Sequence, residues 1–149
     1  MTKSSGTPTS VYIAEDNPIL LQGLERALLS SGYDVRAADG GQALLDLLEE
    51  PNLPDILVVD VMMPGMSGLE VLETVRANPR TATLPVMLIT AAAEEVLPAA
   101  KMAGNHVDLL MKPFRLNDLL SRIEENVAAG KGEHTASPDV EASAMAMKG

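Results

Sequence analysis

The sequence predicts an α/β protein: a doubly wound, five-stranded parallel sheet with helices on both faces. Three observations predict it. Five short apolar runs alternate with five stretches whose apolar residues recur at helical spacing, the pattern of strands crossed over by helices. The cleanest run, Ile56–Val59, is continuously apolar and β-branched, as a strand covered on both faces must be. Hydrophobic residues make up 46% of the 149 residues but aromatics only 2%, so the core is aliphatic.

The elements follow in order. Val11–Ala14 is the first strand, stopping abruptly at Glu15-Asp16-Asn17-Pro18. Leu20, Leu21, Leu24, Ala27 and Leu28 then mark a helix, with Gly32 where a left-handed C-cap belongs. Val35 and Ala37 suggest a weak second strand; Ala43, Leu44, Leu47 and Leu48 give a second helix, closed by Pro51 and Pro54. Ile56–Val59 runs into Asp60, and a loop with Pro64, Gly65 and Gly68 follows. Ser67 and Glu70 are spaced as a capping box ahead of Leu69, Leu72 and Val75. Val86–Ile89 is the fourth strand and ends at Thr90. The next helix is expected from near Glu94 or Glu95 to Met102, with Pro98 tolerable only near its first turn. Val107–Met111 is the fifth strand, ending at Lys112-Pro113, and Leu116, Leu119, Leu120, Ile123 and Val127 mark the last helix. The folded unit is therefore expected over residues 10–128. The polar stretch 1–9 and the Gly-, Ser- and Ala-rich stretch 129–149 read as loose tails, with no output domain in the second.

Composition excludes several functions. With no cysteine there is no disulfide scaffold, thiolate zinc site, iron–sulfur cluster or cysteine nucleophile. Eleven basic against twenty-one acidic residues leave a net charge of −10, which disfavours direct contact with nucleic acid or an anionic membrane. The first residues lack a secretory apolar stretch, and no window approaches the about 18 apolar residues of a membrane span. The expected setting is the cytoplasm.

The polar residues that remain are not scattered. Glu15-Asp16, Asp60, Thr90 and Lys112 each follow one of the first, third, fourth and fifth strands. In an open α/β sheet the ligand site lies outside the carboxyl ends of the strands, so one rim receives three acids, a hydroxyl and an ammonium. Each has a plainer reading by itself: a solvated acidic turn, a turn-forming aspartate, a strand-end threonine, a solvated lysine. Together on four strand ends they form a site. Three carboxylates crowd together only at a cost unless a cation neutralises them, and an all-oxygen donor set suits Mg²⁺.

In this arrangement the chain resembles the receiver domain of the bacterial response-regulator family from Val11 to Val127. Asp60-Val-Met-Met-Pro-Gly-Met-Ser-Gly-Leu-Glu70 is similar to the family's phosphoacceptor loop, and Lys112-Pro113-Phe114 to its lysine–proline motif. The gaps match as well: 44 residues from Asp16 to Asp60, 30 to Thr90 and 22 to Lys112. The resemblance implies a flavodoxin-like strand order 2-1-3-4-5. It also implies roles. Asp60 is the phosphoacceptor, taking a phosphoryl group from a phosphohistidine of a sensor histidine kinase or a histidine phosphotransfer protein. Glu15, Asp16, Asp60 and the backbone carbonyl of Met62 hold Mg²⁺, Thr90 and Lys112 bind the phosphoryl oxygens, and Pro113 follows a cis bond. A downstream protein target, of identity not given by the sequence, and a homodimer through the last two helices complete the expectation. Such a domain is not an enzyme beyond phosphorylating itself from small donors and losing the phosphoryl group again.

The chain departs from the family at three places. Glu15 stands where Asp is commoner. Leu109 stands at the switch position, three residues before the lysine, where the family has Tyr or Phe. Gly104–Asp108 carries one residue more than usual, and the helix before it one fewer. Competing readings are an aspartyl-phosphate metallophosphatase, which wants a second Asp where Met62 stands, an interaction module that has lost phosphorylation, and the receiver portion of a longer regulator with DNA-binding or enzymatic output.

Overall fold

The computed structural model describes residues 7–130. Five parallel strands, β1 (Ser10–Ala14), β2 (Asp34–Ala38), β3 (Ile56–Asp60), β4 (Val86–Thr90) and β5 (Val107–Met111), form one sheet in the order β2-β1-β3-β4-β5. Between and after them lie α1 (Pro18–Ser30), α2 (Gly41–Leu47), α3 (Gly68–Ala77), α4 (Ala93–Met102) and α5 (Leu116–Gly130). This is the order that the resemblance implied. Every residue of β3 and β4 is buried, which is why these strands read as unbroken apolar runs. The edge strand β2 alternates between exposed and partly covered positions and left the weakest signal.

The pleat divides the core in two. Tyr12, Ala14, Leu57, Val59, Val86, Leu88, Val107 and Leu109 face α2, α3 and α4, meeting Leu44, Val71, Leu72, Val75, Val96 and Ala100. Val11, Ile13, Ile56, Val58, Met87, Ile89 and Leu110 face α1 and α5, meeting Leu24, Leu28, Leu119, Ile123 and Val127. Helix α1 ends in a Schellman motif: the Tyr33 N–H donates to Leu28 O and that of Gly32 to Leu29 O, both at 3.1 Å, with Gly32 at φ +96°.

Two expectations change. Helix α4 begins at Ala93, so Pro98 lies in its second turn rather than its first. The helix can start this early because Thr90 turns the chain, its Oγ1 accepting the Ala92 N–H at 2.9 Å. Helix α5 runs two residues past 128, to Gly130, since Val127 is still buried and Gly130 lies so close to Pro85 that a Cβ would meet its Cγ at 2.6 Å. The remainder of the two expected tails, 1–6 and 131–149, lies outside the described residues. Gly104 and His106 both adopt left-handed conformations, at φ +95° and +66°, in the segment read as one residue long. Among the described residues no helix is long and apolar enough to cross a membrane.

Candidate functional site

The site is assembled at the carboxyl edge of the sheet from four strand ends. β1 delivers Glu15, whose N–H still pairs with Ala38 O of β2 at 3.1 Å; the residue is buried, 4% exposed. Its Oε2 accepts the Asn17 N–H at 3.1 Å. Asn17 in turn caps α1, its Oδ1 accepting from Ile19 and Leu20 at 3.0 and 3.1 Å, with Pro18 in the first turn where its missing donor costs nothing. The acidic turn is thus fixed at both ends, and Asp16 between them is exposed.

β3 delivers Asp60, also 4% exposed, whose Oδ1 accepts the Met62 N–H at 3.4 Å. β5 delivers Lys112, whose own N–H donates to Thr90 O at 2.9 Å. Its Nζ stands 3.4 Å from Asp60 Oδ2 and 3.9 Å from Glu15 Oε1. β4 delivers Thr90, 1% exposed, one residue beyond Ile89, the register partner of Asp60.

Carboxylate oxygens of Glu15, Asp16 and Asp60 lie within 4.8 Å of one another. One ammonium cannot balance three carboxylates in a partly dehydrated pocket. Glu15 is the carboxyl most affected by its place: burial, above all, pushes it up from an ordinary 4.5 to about 7. The Asn17 amide opposes that rise; the Asp60 carboxylate adds to it, and Lys112 relieves part of it. An all-oxygen trio with excess negative charge, two members of it buried, is a donor set that fits a hard divalent cation such as Mg²⁺. Among the described residues this is the single cluster of acids or histidines so close together.

The structure brings Glu15, Asp16, Asp60 and Lys112 together directly and sets Thr90 at the adjoining strand end. Met62 sits in the loop after Asp60, 75% exposed and with its amide turned to the Asp60 carboxylate. Pro113 follows a cis peptide bond. Leu109 is not on the rim; it is buried in the core layer facing α2, α3 and α4, in register with Leu88. Sequence reading missed two contributors. Asn17 holds Glu15 and caps α1, and the Asn–Pro pair opening an apolar helical stretch was the available signal. Gly68 comes against the Asp60 backbone, a closeness that no local pattern announces.

A family model described as the response regulator receiver domain matches residues 11–124. Among curated proteins, the chain is 35% identical over 116 residues to the response regulator MprA of a Mycobacterium species, covering 78% of this chain and 49% of MprA. It is 32% identical over 123 residues to the phosphate regulon transcriptional regulatory protein PhoB of Rhizobium meliloti, covering 83% and 54%. The chain spans about half the length of these relatives. Among solved structures, the chemotaxis response regulator CheY4 of Vibrio cholerae superposes with a TM-score of 0.73 at 26% identity, over 80% of this chain and 99% of that one.

Proposed function

The chain belongs to the response regulator receiver domain family, a signalling domain of two-component systems rather than a classical enzyme, and on that premise we propose that Asp60 is its phosphoacceptor. The observation that carries this reading is the setting of Asp60: a buried carboxylate at a strand end, with the Lys112 ammonium 3.4 Å away and two further acids within 4.8 Å. Response regulators interact with sensor kinases; here the donor is a phosphohistidine of a sensor kinase or of a histidine phosphotransfer protein. An Asp60 carboxylate oxygen attacks phosphorus, the phosphorus–nitrogen bond of the donor breaks, and the imidazole leaves with its electron pair. The reaction asks for position and charge neutralisation more than for covalent chemistry.

Each group has work that follows from its place. Lys112 pairs with the phosphoryl oxygens, exchanging its contact with Asp60 Oδ2 for one on the new dianion. Thr90 donates its hydroxyl hydrogen, which its bond from Ala92 leaves unused. Glu15, Asp16, Asp60 and the Met62 carbonyl would hold Mg²⁺, which when bound supplies positive charge to the acids and to the phosphoryl oxygens. Phosphorylation from small donors and loss of the phosphoryl group belong to the same reading, as does pairing of two copies through α4 and α5.

PhoB is named as a transcriptional regulatory protein, and this chain covers 54% of it. That favours a second reading, in which the receiver unit passes its signal to an output segment outside the match. The expectation of no direct contact with nucleic acid then concerns the receiver unit alone.

The test is mass spectrometry of the protein after incubation with acetyl phosphate, in Mg²⁺ and in EDTA, for the natural chain and for Asp60→Asn. The natural chain should gain one phosphoryl group in Mg²⁺ and little in EDTA, and Asp60→Asn none. Persistent labelling of the variant, or undiminished labelling in EDTA, would end the reading.

A further inference from the structure

Two glycines stand where their lack of a side chain lets helices press on the loop that carries Asp60. Gly68 is the first residue of α3. A Cβ there would come within 2.6 Å of Asp60 O, 2.8 Å of Val61 Cα and 3.1 Å of Asp60 C. All three are backbone atoms, so no rotamer change can relieve the clash. The Gly68 N–H donates to Val61 O at 2.9 Å, while from the other side the Val61 N–H donates to Ile89 O of β4, also at 2.9 Å. The Asp60–Val61 segment is therefore clamped between β4 and the start of α3. Gly41, the first residue of α2, backs the clamp: a Cβ there would meet Val71 Cγ2 at 2.9 Å and Met66 Cβ and Cγ at 3.0 Å.

Conformation does not explain Gly68. Its φ is not positive, and alanine is the better helix former at such a position. Capping does not explain it either, because Ser67 and Glu70 complete the capping box with or without a methyl group between them. What remains is the space. We propose that Gly68, backed by Gly41, is a positioning residue for the phosphoacceptor: its missing side chain sets the height of the Asp60 carboxylate and of the Met62 loop against Glu15, Asp16 and Lys112. The proposal rests on the reading of Asp60 as the phosphoacceptor. A methyl group at residue 68 must move the Asp60 backbone, and small displacements of reacting groups cost rate steeply.

The experiment compares Gly68→Ala with Gly130→Ala. The second introduces a contact just as close, 2.6 Å, but against Pro85 and on α5, outside the site. For each variant one measures the thermal midpoint without divalent cation, the Mg²⁺ dissociation constant by calorimetry, and the initial rate of phosphorylation by acetyl phosphate. Gly68→Ala should weaken Mg²⁺ binding and slow phosphorylation by about tenfold or more, with a displaced Met62 amide resonance. Gly130→Ala should lower the midpoint and leave both functional values unchanged. A folded Gly68→Ala with native Mg²⁺ affinity and rate overturns the proposal, as does an equal functional loss in Gly130→Ala. Should Gly68→Ala fail to fold, Gly41→Ala decides: Mg²⁺ binding about two- to fivefold weaker supports the clamp, and native affinity overturns it. If the natural chain itself takes no phosphoryl group, the reading of Asp60 fails, and the ratio of Mg²⁺ affinities still reports on positioning.

Discussion

Helices α3 and α4 lie on the same face of the sheet and are both ten residues long, yet they are built to different standards. α3 opens with a complete capping box and buries Val71, Leu72 and Val75 almost entirely. α4 has no side-chain cap, starts after Ala92, contains Pro98 and buries Ala93, Val96 and Ala100. Three large aliphatic side chains against one, at about 1.5–3 kcal/mol each, separate the two helices by roughly 3–6 kcal/mol, of which the alanines recover a part. Pro98 can give no amide to the Glu94 carbonyl. α4 is instead held at its far end: Arg76 of α3 donates to Asn105 O and His106 O at 3.1 and 3.0 Å, tying the loop between α4 and β5 to α3, and to Leu84 O ahead of β4 at 2.8 Å. The helix after Asp60 is capped and seated on large aliphatic side chains, and the helix after Thr90 is tethered behind and lacks a side-chain cap in front. If Asp60 is the phosphoacceptor as proposed, that difference holds the acceptor in place and leaves α4 the easier helix to shift.

The largest expected effect lies on the rigid side, in the charge it confines. With Glu15 pushed up to about 7 from 4.5, the folded chain keeps a proton that the unfolded chain has released throughout that window. Stability without divalent cation therefore falls as pH rises from 4.5 through 7. Glu15→Gln should flatten this slope in thermal melts. Mg²⁺ affinity should run the other way, rising on the order of a hundredfold between pH 5 and pH 7, because binding must displace the Glu15 proton. A Mg²⁺ affinity indifferent to pH in calorimetry would show that Glu15 is not part of the cation site.

Next comes an effect on α4 alone. Pro98 is exposed, so Pro98→Ala sacrifices little packing and restores a hydrogen-bond donor. It should stabilise the protein by about 1–3 kcal/mol, less what proline saves by stiffening the unfolded chain. Denaturant unfolding measures the total, and amide exchange should place the gain within Ala93–Met102. Unchanged exchange there would mean that α4 is already as firm as α3. The matching loss on α3 is smaller: Ser67→Ala removes the cap and should cost about 1 kcal/mol, read by the same unfolding curve.

The sequence made some of this contrast legible and hid the rest. Asp60, Thr90 and Lys112 could be placed because a buried strand announces its own end, where apolar residues give way to polar ones. Ser67 and Glu70 could be placed because a capping box has a fixed spacing. Arg76 could not, since its partners are three backbone carbonyls, and a carbonyl carries no residue identity. Arg80 is the same case: it donates to the carbonyls of Leu48, Glu50 and Pro51 after α2. Gly68 read as loop chemistry because its space is defined by Asp60 and Val61, eight and seven residues away. Pro98 read as a first-turn residue because the early start of α4 depends on a bond between Thr90 and Ala92, which is a tertiary fact about the end of β4.

The smallest expected effect concerns how far a signal travels beyond α4. If Thr90 binds the phosphoryl group as proposed, turning its hydroxyl toward a phosphoryl oxygen weakens the bond that its Oγ1 accepts from the Ala92 amide just before α4. Exchanging one such bond is worth about 1 kcal/mol, or roughly a fivefold change in the balance of two states. A larger shift would need another group to move with it. Leu109 is the residue placed to do so, three positions before Lys112, but it is 3% exposed and wholly aliphatic. Turning it outward would forfeit about 1.5–3 kcal/mol of burial with nothing polar to reward the move, whereas a tyrosine has a polar tip that is content in either place. Leu109 is therefore expected to stay inside, with the change confined to the Thr90–Ala93 loop and α4. Amide chemical shifts measured with and without beryllofluoride should change strongly over residues 90–102 and weakly over 107–127. Leu109→Tyr should extend the changes into β5 and α5, at about 1–3 kcal/mol of stability for overpacking. Large changes throughout Val107–Val127 in the natural chain, with nothing added by the tyrosine, would show that α4 is not where the signal stops.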